Sequence, residues 1–107
     1  MPNVAINGQL ESLVASLSAL RIATPVDDPN YETIKNQYQE ASDRLSEAIG
    51  KSIDDADEDY KAFAAGIESA IAAIKEATEK LEKVAKAVKL AAQILDVVGK
   101  VVAKLVA

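Results

Sequence analysis

Cysteine, histidine and tryptophan are absent from this sequence, phenylalanine occurs once, and glycine and proline together supply seven of 107 residues. Without cysteine there is no disulfide, no thiolate nucleophile and no zinc–thiolate site. Without histidine the commonest general base and the commonest transition-metal ligand are missing as well. Long uncharged runs are also lacking. Lys86, Lys89, Asp96, Lys100 and Lys104 interrupt the apolar C-terminal stretch well short of the ~20 apolar residues a membrane span requires. The opening Met1-Pro2-Asn3-Val4 carries no positively charged segment ahead of an apolar run, so no signal peptide is expected. These absences predict a soluble chain, cytoplasmic by default, with no cofactor and no metal.

What is present is alanine, 20 residues of it, 14 of them after position 52. So much alanine with so few turn formers predicts an all-α protein, and the length suits one helical domain over residues 1–107. The formal charge of −5 argues against nucleic acid as a partner. It conceals an asymmetry: residues 80–107 carry six lysines against Glu82 and Asp96, while residues 1–79 carry six basic groups against 15 acidic ones. An acidic front and a basic tail suit self-complementary pairing or an anionic surface.

Two punctuation points divide the chain. In Thr24-Pro25-Val26-Asp27-Asp28-Pro29, Pro25 disfavours helix at Thr24, and Asp28 is placed to cap a helix with Pro29 in its first turn. In Gly50-Lys51-Ser52, glycine suits the residue after a helix end and serine suits the next cap. Three helices are predicted, at about 3–23, 29–49 and 53–106. The first places Ile6, Leu10, Leu13, Leu17 and Leu20 on one side, and the second Tyr31, Ile34, Tyr38, Ala41, Leu45 and Ala48. In the third, apolar residues step by three and four without a slip from Ile53 to Leu105, the pattern of coiled-coil-like packing. Glu76/Lys80, Glu79/Lys83, Glu82/Lys86 and Asp96/Lys100 are acid-first i,i+4 pairs on its outer side, each adding about 0.2–0.5 kcal/mol.

One helix over 53–106 would be about 80 Å long, against about 30 Å for each of the others. The expected architecture is a helical hairpin or three-helix bundle with one long C-terminal helix. If the Pro25 segment is a kink, the first two helices form one arm antiparallel to the third. If it is a tight turn, they lie side by side over half of it and leave the rest bare. The first arrangement is preferred, because a bare apolar half would aggregate.

The acidic run at residues 54–59 invites a calcium reading. A loop beginning at Asp55 puts Asp57 and Asp59 in place, but Tyr60 stands where glycine is required and Gly66 where the bidentate glutamate belongs. A helix N-terminus charged to suit its dipole is the preferred reading. Ser12, Ser16, Ser18, Ser42, Ser46, Ser69 and Thr78 have no imidazole to activate them, and no carboxylate pair is marked out for hydrolysis, so no catalytic residue is assigned and no enzyme is expected. Of the aromatic rings, Tyr38 is expected to face the turn that carries Phe63 and Ile67.

The working surface is expected in the tail. From Val84 onward the apolar arc is too wide for a two-helix arm to cover. Val84, Val88, Ala91, Leu95, Val98, Val102 and Leu105 are therefore expected to form an oligomer or interaction stripe. A second copy is the simplest partner, giving a dimer; a different protein is the other protein partner that such a stripe suits. Read as a cationic amphipathic helix, the same segment offers Lys83, Lys86, Lys89, Lys100 and Lys104 to an anionic membrane surface. The two functional expectations are a non-enzymatic structural or protein-interaction role and, as the alternative, a membrane-active helical protein. In shape the layout resembles secreted WXG-type hairpins and the bundles of α-pore-forming toxins. The Trp-Xaa-Gly motif of the first is replaced here by Gly50-Lys51-Ser52, and no family is assigned.

Overall fold

The helix expected to carry the long apolar stripe is interrupted at Lys80, whose backbone is extended at φ −132° and ψ 93°. In the computed structural model, which describes residues 2–107, the chain forms four helices. They are α1 (Asn7–Ala23), α2 (Tyr31–Ala48), α3 (Glu58–Glu79) and α4 (Val84–Val102). A single 3₁₀ turn, Leu81–Lys83, joins α3 to α4. The expected single helix over 53–106 is thus two helices folded back on each other. The stripe did not reveal this, because α3 and α4 face the same core and the apolar period runs through the turn unbroken. Leu81 is the one stripe residue between Phe63 and Val98 that is exposed.

The bundle is all-α apart from two short strands, β1 (Asn3–Val4) and β2 (Ile53–Asp54), which pair antiparallel. Val106 adds a bridge to Ser52, its N–H donating to Ser52 O at 3.0 Å and its carbonyl accepting from Ser52 N–H at 2.9 Å. This small sheet gathers the starts of α1 and α3 at one end. The reversals after α1 and α3 therefore lie at the other. Each hairpin packs internally, and the two join through α1 against α3 and α2 against α4. The helices form a ring in the order α1, α2, α4, α3, with α2 and α3 across the diagonal.

The Pro25 segment is a tight reversal, so the preferred end-to-end arm is overturned and α1 and α2 lie side by side. Thr24 is extended, and Asp28 N–H donates to Pro25 O at 3.0 Å. Asp28 does not cap α2. Its carboxylate accepts from Asn30 N–H at 2.8 Å within the turn, and the helix starts at Tyr31. Gly50 follows α2 with φ +78°, the left-handed conformation for which glycine is favoured. Ser52 lies in the sheet rather than at a cap. The N-cap of α3 is Asp57, whose side chain accepts from Asp59 N–H at 2.8 Å and Tyr60 N–H at 3.2 Å.

The core draws one stripe from every helix: Leu10, Leu13, Leu17 and Leu20; Ile34 and Ala41; Phe63, Ile67 and Ile74; Ala87, Ala91, Leu95 and Val98. Each large aliphatic side chain so buried contributes about 1.5–3 kcal/mol. Small residues on α3 and α4 bring the helices close. A Cβ on Gly66 would meet Ile94 Cδ1 at 3.3 Å. Among the described residues Ser16, Thr24 and Gln37 are the buried polar side chains, and Gln37 Nε2 donates to Val88 O at 3.0 Å, tying α2 to α4.

Candidate interaction surface

The predicted stripe is mostly interior. Val84, Ala91, Leu95 and Val98 are buried, and Val88, Val102 and Leu105 are half-buried against the same core. The partner that α4 demanded is supplied largely by α2 and α3 of its own chain. The bare apolar half that a tight turn at Pro25 was expected to leave does not arise, because the long segment folds back and covers itself.

An apolar surplus nonetheless remains outside. Ala62, Ala65 and Ala72 on α3 and Ala92 on α4 are exposed, and Leu90 and Val97 are half-buried. Much of this surplus lines a groove between α3 and α4. Its lower part, about 170 Å³, is lined by Ala62, Gly66, Ser69, Ala70, Leu90, Gln93, Ile94 and Val97. Its upper part, about 280 Å³, adds Ala72, Ala73, Glu76 and Lys86. Sequence reasoning missed this face because it assigned the α3–α4 segment to one straight helix, which has no such groove. The alanine excess after position 52 was its one visible sign.

A second cleft, about 410 Å³, runs between the parallel helices α1 and α3. Ser12, Ala15, Ser16 and Ala19 form one wall, with Lys75, Thr78 and Glu79 opposite. Two of its three hydroxyls are engaged by their own helices: Ser16 Oγ donates to Ser12 O at 2.8 Å and Thr78 Oγ1 to Ile74 O at 3.0 Å.

The predicted cationic contacts divide into two sets. Lys83, at the end of the 3₁₀ turn, and Lys86 and Lys89, in the first half of α4, are exposed. Lys100 pairs with Asp96 at 3.7 Å, the one acid-first pair of the four that forms. Glu76/Lys80 and Glu79/Lys83 straddle the reversal, and Glu82/Lys86 straddles the junction of the 3₁₀ turn with α4. Lys104 reaches Asp59 at 2.8 Å and Asp57 at 3.2 Å, fastening the end of the chain to the start of α3. Burial would push the Asp57 carboxyl up, but the bonds donated by Tyr60 N–H, Lys104 and Asp59 N–H outweigh it and hold the carboxyl below its usual 3.8. The bonds that Lys104 donates, first to Asp59 and then to Asp57, raise it above its usual 10.5.

The acidic run therefore serves a helix start and a chain clamp. Asp54 accepts from Ala56 N–H at 2.8 Å, Asp57 caps α3, and Asp57 and Asp59 hold Lys104. Tyr38, expected against Phe63, instead lies on α2 across the diagonal from α3, with the Arg21 guanidinium 5.1 Å from its ring centre. Phe63 packs near Tyr60 at 6.3 Å between ring centres. No helix among the described residues is long and apolar enough to cross a membrane. No protein family, curated protein or solved structure matches this chain.

Proposed function

We propose that this chain is a non-enzymatic helical interaction protein that associates with a second copy of itself through the outside of the α3–α4 hairpin. The observation that supports this is the apolar surplus that survives closure of the bundle: Ala62, Ala65, Ala72, Leu90 and Val97 stay at the surface after the core is filled. By contrast, most of the outward positions of α2 are filled by Glu32, Lys35, Asn36, Gln39, Glu40, Asp43 and Glu47. A helix pair faced with small apolar residues suits close helix–helix approach, and the exposed lysines of α4 rim that face rather than fill it. Sedimentation equilibrium from micromolar to near-millimolar chain tests the reading. A mass rising toward twice 11.3 kDa supports it; a mass of 11.3 kDa at every concentration contradicts it.

The alternative, a membrane-active protein, has one observation in its favour. α4 turns its apolar stripe inward and Lys83, Lys86 and Lys89 outward, so opening the bundle would present a cationic amphipathic helix. Dye release from anionic but not neutral vesicles would favour it, and no release from either would leave the interaction reading alone.

A further inference from the structure

The inference that follows rests on the self-association proposed above and gives it an orientation. The groove between α3 and α4 is walled on one side by Ala62, Gly66 and Ser69 and on the other by Leu90, Gln93 and Val97. Its shallow floor and small side chains fit the surface of another helix. The charged residues that share its helical register are of opposite sign on the two walls. On α3 the steps of three and four that pass through Ala62, Gly66, Ser69 and Ala73 begin at Glu58 and end at Glu76. On α4 the steps through Leu90, Gln93 and Val97 begin at Lys86. At the upper end of the groove one wall therefore carries a carboxylate and the other an ammonium group.

The heights match as well. Glu76 and Lys86 line the same upper part of the groove, and Lys104 lies beside the start of α3. Glu76 and Lys86 are both exposed, and among the described residues neither belongs to an ion pair within the chain.

We infer that two copies meet face to face across this groove about a two-fold axis parallel to the helices. That operation lays α3 of each copy antiparallel on α4 of the other, and sets Glu76 of each opposite Lys86 of the other. A two-fold axis across the helices would instead set lysine wall on lysine wall and carboxylate wall on carboxylate wall. An interface formed by one patch on both copies must be complementary to itself, and only the first operation makes it so electrostatically.

Charge reversal tests the orientation on the intact chain. Glu76→Lys alone and Lys86→Glu alone each create two like-charge contacts per dimer and should weaken self-association by about tenfold or more. Mixing the two variants places each reversed side chain opposite its complement at both contacts, so the mixed dimer should recover to about the native affinity. Circular dichroism checks that each variant keeps its helix content. A native dimer indifferent to both reversals, or variants that stay weak when mixed, would overturn the orientation while leaving self-association in place. A native chain that never dimerises would overturn both.

Discussion

The reversal between α1 and α2 takes seven residues and is written in local chemistry. Pro25 and Pro29 restrict the backbone, Thr24 Oγ1 donates to Leu20 O at 2.7 Å, and Asp28 holds Asn30 N–H. The reversal between α3 and α4, at the same end of the bundle, has neither proline nor glycine. One extended residue, Lys80, and one 3₁₀ turn complete it, with Lys80 N–H still donating to Glu76 O at 2.8 Å. The first turn is imposed by its own residues. The second is imposed by the core, because folding back lets α4 bury Val84, Ala91, Leu95 and Val98 against the same interior that α3 serves. A chain reversal can thus be a tertiary decision with almost no local signature.

Breaking the shared core has the largest expected effect. Val98 is fully buried, so Val98→Asp places an unpaired charge in the interior and should cost about 3–5 kcal/mol. Urea unfolding followed by circular dichroism should show one lowered transition if both hairpins depend on that core. A second transition at the native midpoint would mean that the α1–α2 hairpin stands by itself.

The turns themselves give a finer contrast. Pro25→Ala frees the unfolded chain and should lower stability by about 0.4–1 kcal/mol. Lys80→Ala should stay within about 0.5 kcal/mol, since its surroundings rather than its side chain direct the reversal. A loss at Lys80 exceeding that at Pro25 would reverse the comparison. Gly50→Ala, at φ +78°, offers a reference in a third connection and should cost about 1–2 kcal/mol.

The smallest expected effect concerns the clamp that secures the far end of α4. The Asp57 carboxyl lies below 3.8, so its contribution is present at neutral pH and is lost as pH falls through that lowered value. Lys104 lies above 10.5, so its contribution is present below 10.5 and is lost as pH rises through the raised value. The pair therefore favours the fold across the window between. Asp57→Asn should flatten the acid limb of a melting temperature against pH profile; an unchanged limb would show that the clamp is not coupled to folding.

Much of the interior could be read from residue spacing, and the turns show why the reading stopped where it did. Ile6, Leu10, Leu13, Leu17 and Leu20 repeat at the helical period, and all five are buried. From Phe63 to Val98 the spacing marks an apolar stripe, but its part from Val84 onward, expected to meet a second copy, is mostly buried within the chain itself. Its period carries the face of each residue but not the direction of the chain, so a straight helix and a folded one share the same pattern. The mark of the break was Leu81, exposed among the charges of residues 79–83. The α3–α4 groove was invisible for the same reason, since it exists only once Ala62 and Val97 have been brought to one place.

That juxtaposition can be measured directly. The chain has no cysteine, so Ala62→Cys with Val97→Cys creates two unique sites for spin labels. Labelled chain diluted into unlabelled chain reports the distance within one molecule. The hairpin predicts a separation near the spacing of packed helices, about 10 Å plus the label linkers. A separation of about 50 Å, the rise of 35 residues along one continuous helix, would contradict it and with it the face through which the chain is proposed to associate.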